Sequence, residues 1–164
     1  MNTYCGTGLA NPRNPRGLTL AWDHNVYAKK ERHIETMSKI LEWQDMGCFK
    51  GIDLNDTFVL SWNITNNNIA FDLEVSIWPE SEHYDSPKPN EYTCYKKGTL
   101  KFEGAKEVQG LKECKEVNPS TDSDGSIDYG NIDHLVKTPS GYELIGEFGN
   151  VIITGGGLKF GICA

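Results

Sequence analysis

A chain of 164 residues with 38% hydrophobic and 24% charged side chains is long enough to bury a core without disulfide or metal staples, which sets disorder aside. Its formal net charge is −7, and no apolar run approaches the roughly 20 residues that span a bilayer. The start, Met1 to Ala10, lacks a basic stretch followed by an apolar one, so the expected address is the cytoplasm.

The charge is unevenly spread. Residues 1–36 carry five basic side chains (Arg13, Arg16, Lys29, Lys30, Arg32) against three acidic ones (Asp23, Glu31, Glu35), and 37–164 carry 11 basic against 20 acidic. All three arginines fall in the first stretch. An acidic body without arginine is poorly suited to phosphate backbones or base edges, so nucleic acid is not an expected partner, and neither is a membrane. The change of sign also suggests two parts: an extension or arm over 1–36, and one β-rich domain over 37–164.

In chain order, Asn11-Pro12-Arg13-Asn14-Pro15-Arg16-Gly17 is a turn-forming run, and Leu18, Leu20 and Trp22 alternate as in a short strand. Glu31 to Trp43 reads as a helix through Ile34, Met37, Ile40 and Leu41, with Gly47 as its stop. Phe58, Leu60, Trp62 and Ile64 then alternate, Asn66-Asn67-Asn68 makes a turn, and Ile69, Phe71, Leu73, Val75 and Ile77 alternate again. Two period-2 runs across an Asn-rich turn predict a hairpin, with Ala70, Asp72, Glu74 and Ser76 facing solvent.

Trp78-Pro79 ends that strand, and a polar loop runs from Glu80 to Glu91. Tyr92–Lys96 and Thr99–Glu103 suggest a second hairpin turning at Lys97-Gly98. Further strands are expected over Ile127–Val136, Tyr142–Phe148 and Val151–Thr154. Gly146-Glu147-Phe148-Gly149 would bend between two of them, and Gly155-Gly156-Gly157 would turn the chain into a last strand at Leu158, Phe160 and Ile162. Some eight short strands, with one N-terminal helix, imply a mainly β fold: an antiparallel meander forming a barrel or sandwich.

Few residues carry a chemical signal. Cys5, Cys48, Cys94, Cys114 and Cys163 are odd in number and contain no C-x-x-C pair, so most are expected to be small buried hydrophobes. Asp122-Ser123-Asp124-Gly125-Ser126-Ile127-Asp128 resembles part of a calcium loop, with Asp122, Asp124 and Asp128 as metal candidates. Asn131 stands where the bidentate glutamate belongs, so an Asp/Ser/Gly turn is the first reading and calcium the second. Glu80, Glu82, His83, Tyr84 and Asp85 cluster in the loop after Trp78 and offer an acid and a base. His134 would share a strand face with Asp128 and Ile132, an imidazole beside a carboxylate, but no G-x-S-x-G accompanies it. Trp78 breaks the inward parity of its strand and, with Tyr84 and Tyr92, would anchor a partner or small ligand.

The set Trp78-Pro79, Pro87, Glu91, Thr93-Cys94-Tyr95, Gly98, Leu100, Phe102, then Tyr142, Gly146-Glu147-Phe148-Gly149 and Val151 resembles small bacterial proteins of the domain-of-unknown-function type, like products of mobile gene cassettes or toxin-immunity loci. The resemblance spans about residues 37–164 and implies no activity and no functional residue. Taken together, the sequence points to a small acidic protein-binding module, immunity-like in charge, using Trp78, Glu80, His83, Tyr84, Tyr92 and His134. The alternative is a small-molecule or hydrolytic site near the 79–91 loop. A homo-oligomer built through the N-terminal arm is a third expectation.

Overall fold

The computed structural model describes residues 39–89, 91–122 and 125–163. Nine strands run in order: β1 (Leu41–Glu42), β2 (Ile52–Thr65), β3 (Asn68–Ile77), β4 (Cys94–Gln109), β5 (Ser120–Thr121), β6 (Ile127–Asp128), β7 (Ile132–Thr138), β8 (Gly141–Gly146) and β9 (Gly149–Ile162). Seven form one antiparallel sheet in the order β1-β7-β8-β9-β4-β3-β2, and β5 pairs with β6 apart from it. The mainly β, antiparallel expectation holds.

The sheet curls without closing into a barrel. Its far strand, β2, returns to the start of β7, where the ladder amounts to one isolated bridge, Phe58 to Asn131. Val59 N–H donates to Gly130 O and Tyr129 N–H donates to Val59 O, both at 2.8 Å. Asn55 completes the seam, its amide donating to Ile132 O at 3.1 Å and to Asp133 O at 2.9 Å. A side chain here does what backbone groups do elsewhere in the sheet.

Among the described residues the predicted helix is not found. Residues 31–38 lie outside the described residues, as does the expected strand at Leu18–Trp22. The chain enters the sheet through β1, paired with β7 by Leu41–Lys137 and Glu42–Val136. Two 3-10 turns, Trp43–Asp45 and Gly47–Phe49, come next. Trp43, Met46 and Phe49 recur every third residue and are all buried, which suits a 3.0-residue turn better than an α-helix. Among the described residues no helix is long and apolar enough to cross a membrane.

The β2–β3 hairpin forms as predicted, with Thr65 opposite Asn68 and Asn66 in the left-handed region at φ 54°. Register shifts interrupt β2 between Asp53 and Phe58 and between Val59 and Ser61. These bulges reverse its parity, so Leu54, Val59 and Trp62 are buried while Phe58 turns to the other face and packs on Tyr95 at 5.8 Å. Ser76, expected in solvent, is fully buried, and its N–H donates to Thr57 Oγ1 at 3.1 Å from the bulged segment that covers it.

No second hairpin turns at Lys97-Gly98. β4 runs straight through, pairing with β3 on one side and β9 on the other. Gly98 is there because a Cβ would press on Val75 Cγ2 at 2.7 Å and Gly161 O at 2.9 Å. Likewise Gly155-Gly156-Gly157 is not a turn: β9 continues through it, bent, and pairs with β4 on both sides of the glycines. The expected bend at Gly146–Gly149 is the β8–β9 hairpin. The core gathers Phe71, Phe102 and Phe148 with Leu54, Ile69, Leu73, Leu100 and Leu144, all fully buried.

Candidate functional site

The loop from Trp78 to Thr93 joins two adjacent strands whose ends meet at Ile77 and Cys94, so it is an excursion with closed feet. Its shape is fixed locally. Thr93 Oγ1 donates to Ile77 O at 2.8 Å, Trp78 N–H donates to Gly51 O at 2.9 Å, and Ser81 N–H donates to Trp78 O at 3.0 Å. Lys96 Nζ holds Asp85 at 2.6 Å, and Lys88 meets Glu91 at 3.3 Å. Long loops pinned this way are more often working parts than spacers.

Two depressions flank the junction of this loop with the 47–52 segment. One, of about 430 Å³, is lined by Cys48, Lys50, Glu80, Ser81, His83 and Phe160 among others. The second is shallower, about 610 Å³, and is lined by Trp43, Phe49, Asp53, Asn55, Trp78 and Glu80 among others. Lys50, Ile52 and Glu80 border both. Trp78, which lines the second depression, is 37% exposed and its neighbour Tyr92 81% exposed, their rings edge to face at 6.1 Å.

Of the residues singled out from sequence, Trp78, Glu80, His83 and Tyr92 therefore gather at one end of the sheet. Tyr84 is half-buried against the core. His134 sits elsewhere, on β7, its Nδ1 3.8 Å from Glu42 Oε2. The face shared with Asp128 does not exist, because residues 129–131 separate β6 from β7 and a register shift comes after Ile132. Asp128 is buried and its carboxylate accepts Gly130 N–H at 2.7 Å. Asp122 faces the Ser126 hydroxyl at 3.3 Å, and Asp124 lies outside the described residues. Among the described residues no three His, Cys, Asp or Glu side chains gather as a metal-binding group.

The cysteines depart from expectation. Cys94 is buried, but Cys48 and Cys163 are exposed, since one sits on a 3-10 turn outside the sheet and the other just past the end of β9. Partial burial raises the Cys48 thiol above its usual range, against a backbone hydrogen bond that lowers it. That keeps the thiol protonated, the opposite of an activated nucleophile. Lys50, Asp53 and Ser81 went unnoticed in the sequence, where Cys48 counted only among the expected buried hydrophobes; Gly47 and Gly51 bracketing Phe49 were a sign of a tight turn.

Beside the loop, Tyr95 OH donates to Asp56 Oδ2 at 2.7 Å. Burial, then this hydrogen bond and the Asp56 charge, raise the phenol above the ordinary tyrosine range. The unfolded chain ionises first, at a pH of about 10. The Tyr95 contribution to stability is therefore complete below that pH and falls as pH rises through it. Ultraviolet titration, with the signal assigned by Tyr95→Phe, should show Tyr95 ionising above the ordinary range and Asp56→Asn bringing it down. A Tyr95 signal unmoved by Asp56→Asn would contradict the assignment.

No family model, curated protein or solved structure matches the chain.

Proposed function

We propose that this domain is a binding module that recognises a basic segment of another protein with the surface around Trp78. One observation carries the reading: an exposed Trp78–Tyr92 pair stands on a loop pinned by hydrogen bonds, next to depressions edged by Asp53, Glu80 and Glu82. An aromatic pair held in place loses little entropy on binding, and carboxylates around it favour lysine and arginine, which also stack on indole. The net charge of −7 acts in the same direction over longer range.

The test is a peptide array of basic, neutral and acidic sequences, probed with the full chain and with Trp78→Ala. Basic peptides should be retained, less so as salt increases, and Trp78→Ala should weaken retention by about tenfold or more, the scale of a hot-spot aromatic. Equal retention of acidic peptides, or indifference to Trp78→Ala, would remove the proposal. A second reading rests on Glu80, Ser81 and His83 lining one cleft, which suits a small polar ligand or a hydrolytic site. A small molecule seen bound in native mass spectrometry, and lost on His83→Ala, would favour it.

A further inference from the structure

The β8–β9 ladder ends at Gly141–Thr154, with one more bond from Gly155 N–H to Ser140 O, whereas β9 stays paired with β4 as far as Ile162. Among the described residues, the second half of β9 thus has a strand on one side only. A single bond sets the direction of its backbone groups. Cys163 N–H donates to Lys97 O at 2.8 Å, and in an antiparallel pair alternate residues point their N–H and C=O the same way. Gly161 and Lys159 therefore face β4, while Leu158, Phe160 and Ile162 face away from it. Leu158 confirms the parity, its N–H reaching the Tyr142 hydroxyl at 3.2 Å on the other side. No hydrogen bond from a described residue meets the outward N–H of Phe160 or Ile162.

The cleft of about 430 Å³ opens at this stretch: Phe160, Gly161 and Ile162 line it, opposite Cys48, Lys50, Glu80 and Glu82, and no β4 residue does. Lysines guard exposed strand edges in many proteins, but Lys159 is drawn across the sheet face to Glu103 at 2.6 Å. Nothing within 4 Å would meet a Cβ at Gly157 or Gly161, so neighbouring side chains leave that face clear.

We infer that the free edge of β9 at Leu158–Ile162 takes up an extended, lysine- or arginine-bearing segment of a partner protein as an added strand. The inference rests on the reading of the domain as a partner-binding module and names its mode of recognition. Backbone bonds to Phe160 and Ile162 give affinity, and alternate side chains of the segment enter the cleft beside Glu80 and Glu82. At ~3.3 Å per residue the edge is roughly 15 Å long, room for four or five residues.

Amide hydrogen exchange of the full chain, followed by NMR, tests this with a blocked peptide of alternating valine and lysine. The Phe160 and Ile162 amides should exchange freely without peptide and slow more than tenfold at saturation. The valine–glutamate counterpart should give no protection; equal protection by it would overturn the charge preference. Binding that perturbs only Trp78 and Tyr92 would overturn strand addition while leaving the module reading intact, and no binding would overturn both. Protection already present without peptide would also overturn it, assigning the edge to a second copy if it grows with concentration and to the chain itself if it does not.

Discussion

Phe148→Ala should destabilise the domain by about 3–5 kcal/mol, measured by urea unfolding. Phe148 occupies a two-residue hairpin turn, where a side chain usually faces water, yet it is fully buried. Its ring lies 5.0 Å from Phe71 and 5.9 Å from Trp62, so one residue plugs the core between β2, β3 and the β8–β9 turn. Truncation loses the ring's transfer free energy and leaves a cavity that three strands cannot close. A domain of this kind has only about 5–15 kcal/mol to lose, so the substitution removes a large share of its stability. Phe148→Leu, which keeps most of the volume, should recover more than half of the loss. A cost below about 1 kcal/mol for Phe148→Ala would mean the turn does not seat its ring as described.

Gly110→Ala should be nearly as damaging, for a backbone reason. Gly110 has φ +81°, a conformation L side chains rarely adopt, and a Cβ there would collide with the Asn150 carbonyl oxygen. Gly149, at φ +123°, meets the Gly110 carbonyl in the same way, so β4 and the β8–β9 turn touch backbone to backbone. Lys112 N–H donates to Phe148 O at 2.9 Å across this contact, and Lys112 O accepts Trp62 Nε1–H at 2.8 Å. Backbone atoms cannot step aside as a flexible side chain can, so a methyl group disturbs the whole linkage. The expected cost is about 2–4 kcal/mol by thermal or urea unfolding, from positive-φ strain plus the broken contact. Gly104→Ala is the control. It has a similar φ of +71° but nothing within 4 Å of its added Cβ, so it should cost about 1–2 kcal/mol from conformation alone. Equal losses at the two positions would show that crowding at Gly110 contributes nothing.

Much of the sheet was legible because period-2 alternation survives wherever a strand keeps its parity. Ile69 to Ile77 does so, and its inward set Ile69, Phe71, Leu73, Val75 and Ile77 is fully buried. Where bulges intervene, the pattern misleads. Phe58 and Leu60 look inward in sequence, but the register shift after Val59 hands the inward position to Val59 itself. Glycine misled too, since Gly98, Gly155 and Gly156 serve close packing and bending inside long strands rather than turns between short ones. At the candidate site, Trp78 and Tyr92 could be flagged from composition and parity. The Lys50 and Asp53 sides of the two depressions could not, because only the fold brings the 47–53 segment beside residues 78–83. His134 and Asp128 failed for the converse reason: nearness in sequence across a strand break says nothing about a shared face.

The Asn55 seam bears on how the chain reaches this arrangement. The partners of its amide are 77 and 78 residues away in sequence, whereas the β2–β3 and β8–β9 hairpins close over two residues each. Loop-closure entropy lets the hairpins form first and delays a contact that rewards so long a detour with two hydrogen bonds. The seam is thus drawn shut after the hairpins during folding. It should also part more readily than the hairpins in native-state fluctuations, because a side-chain clasp and a single bridge resist opening less than a ladder does.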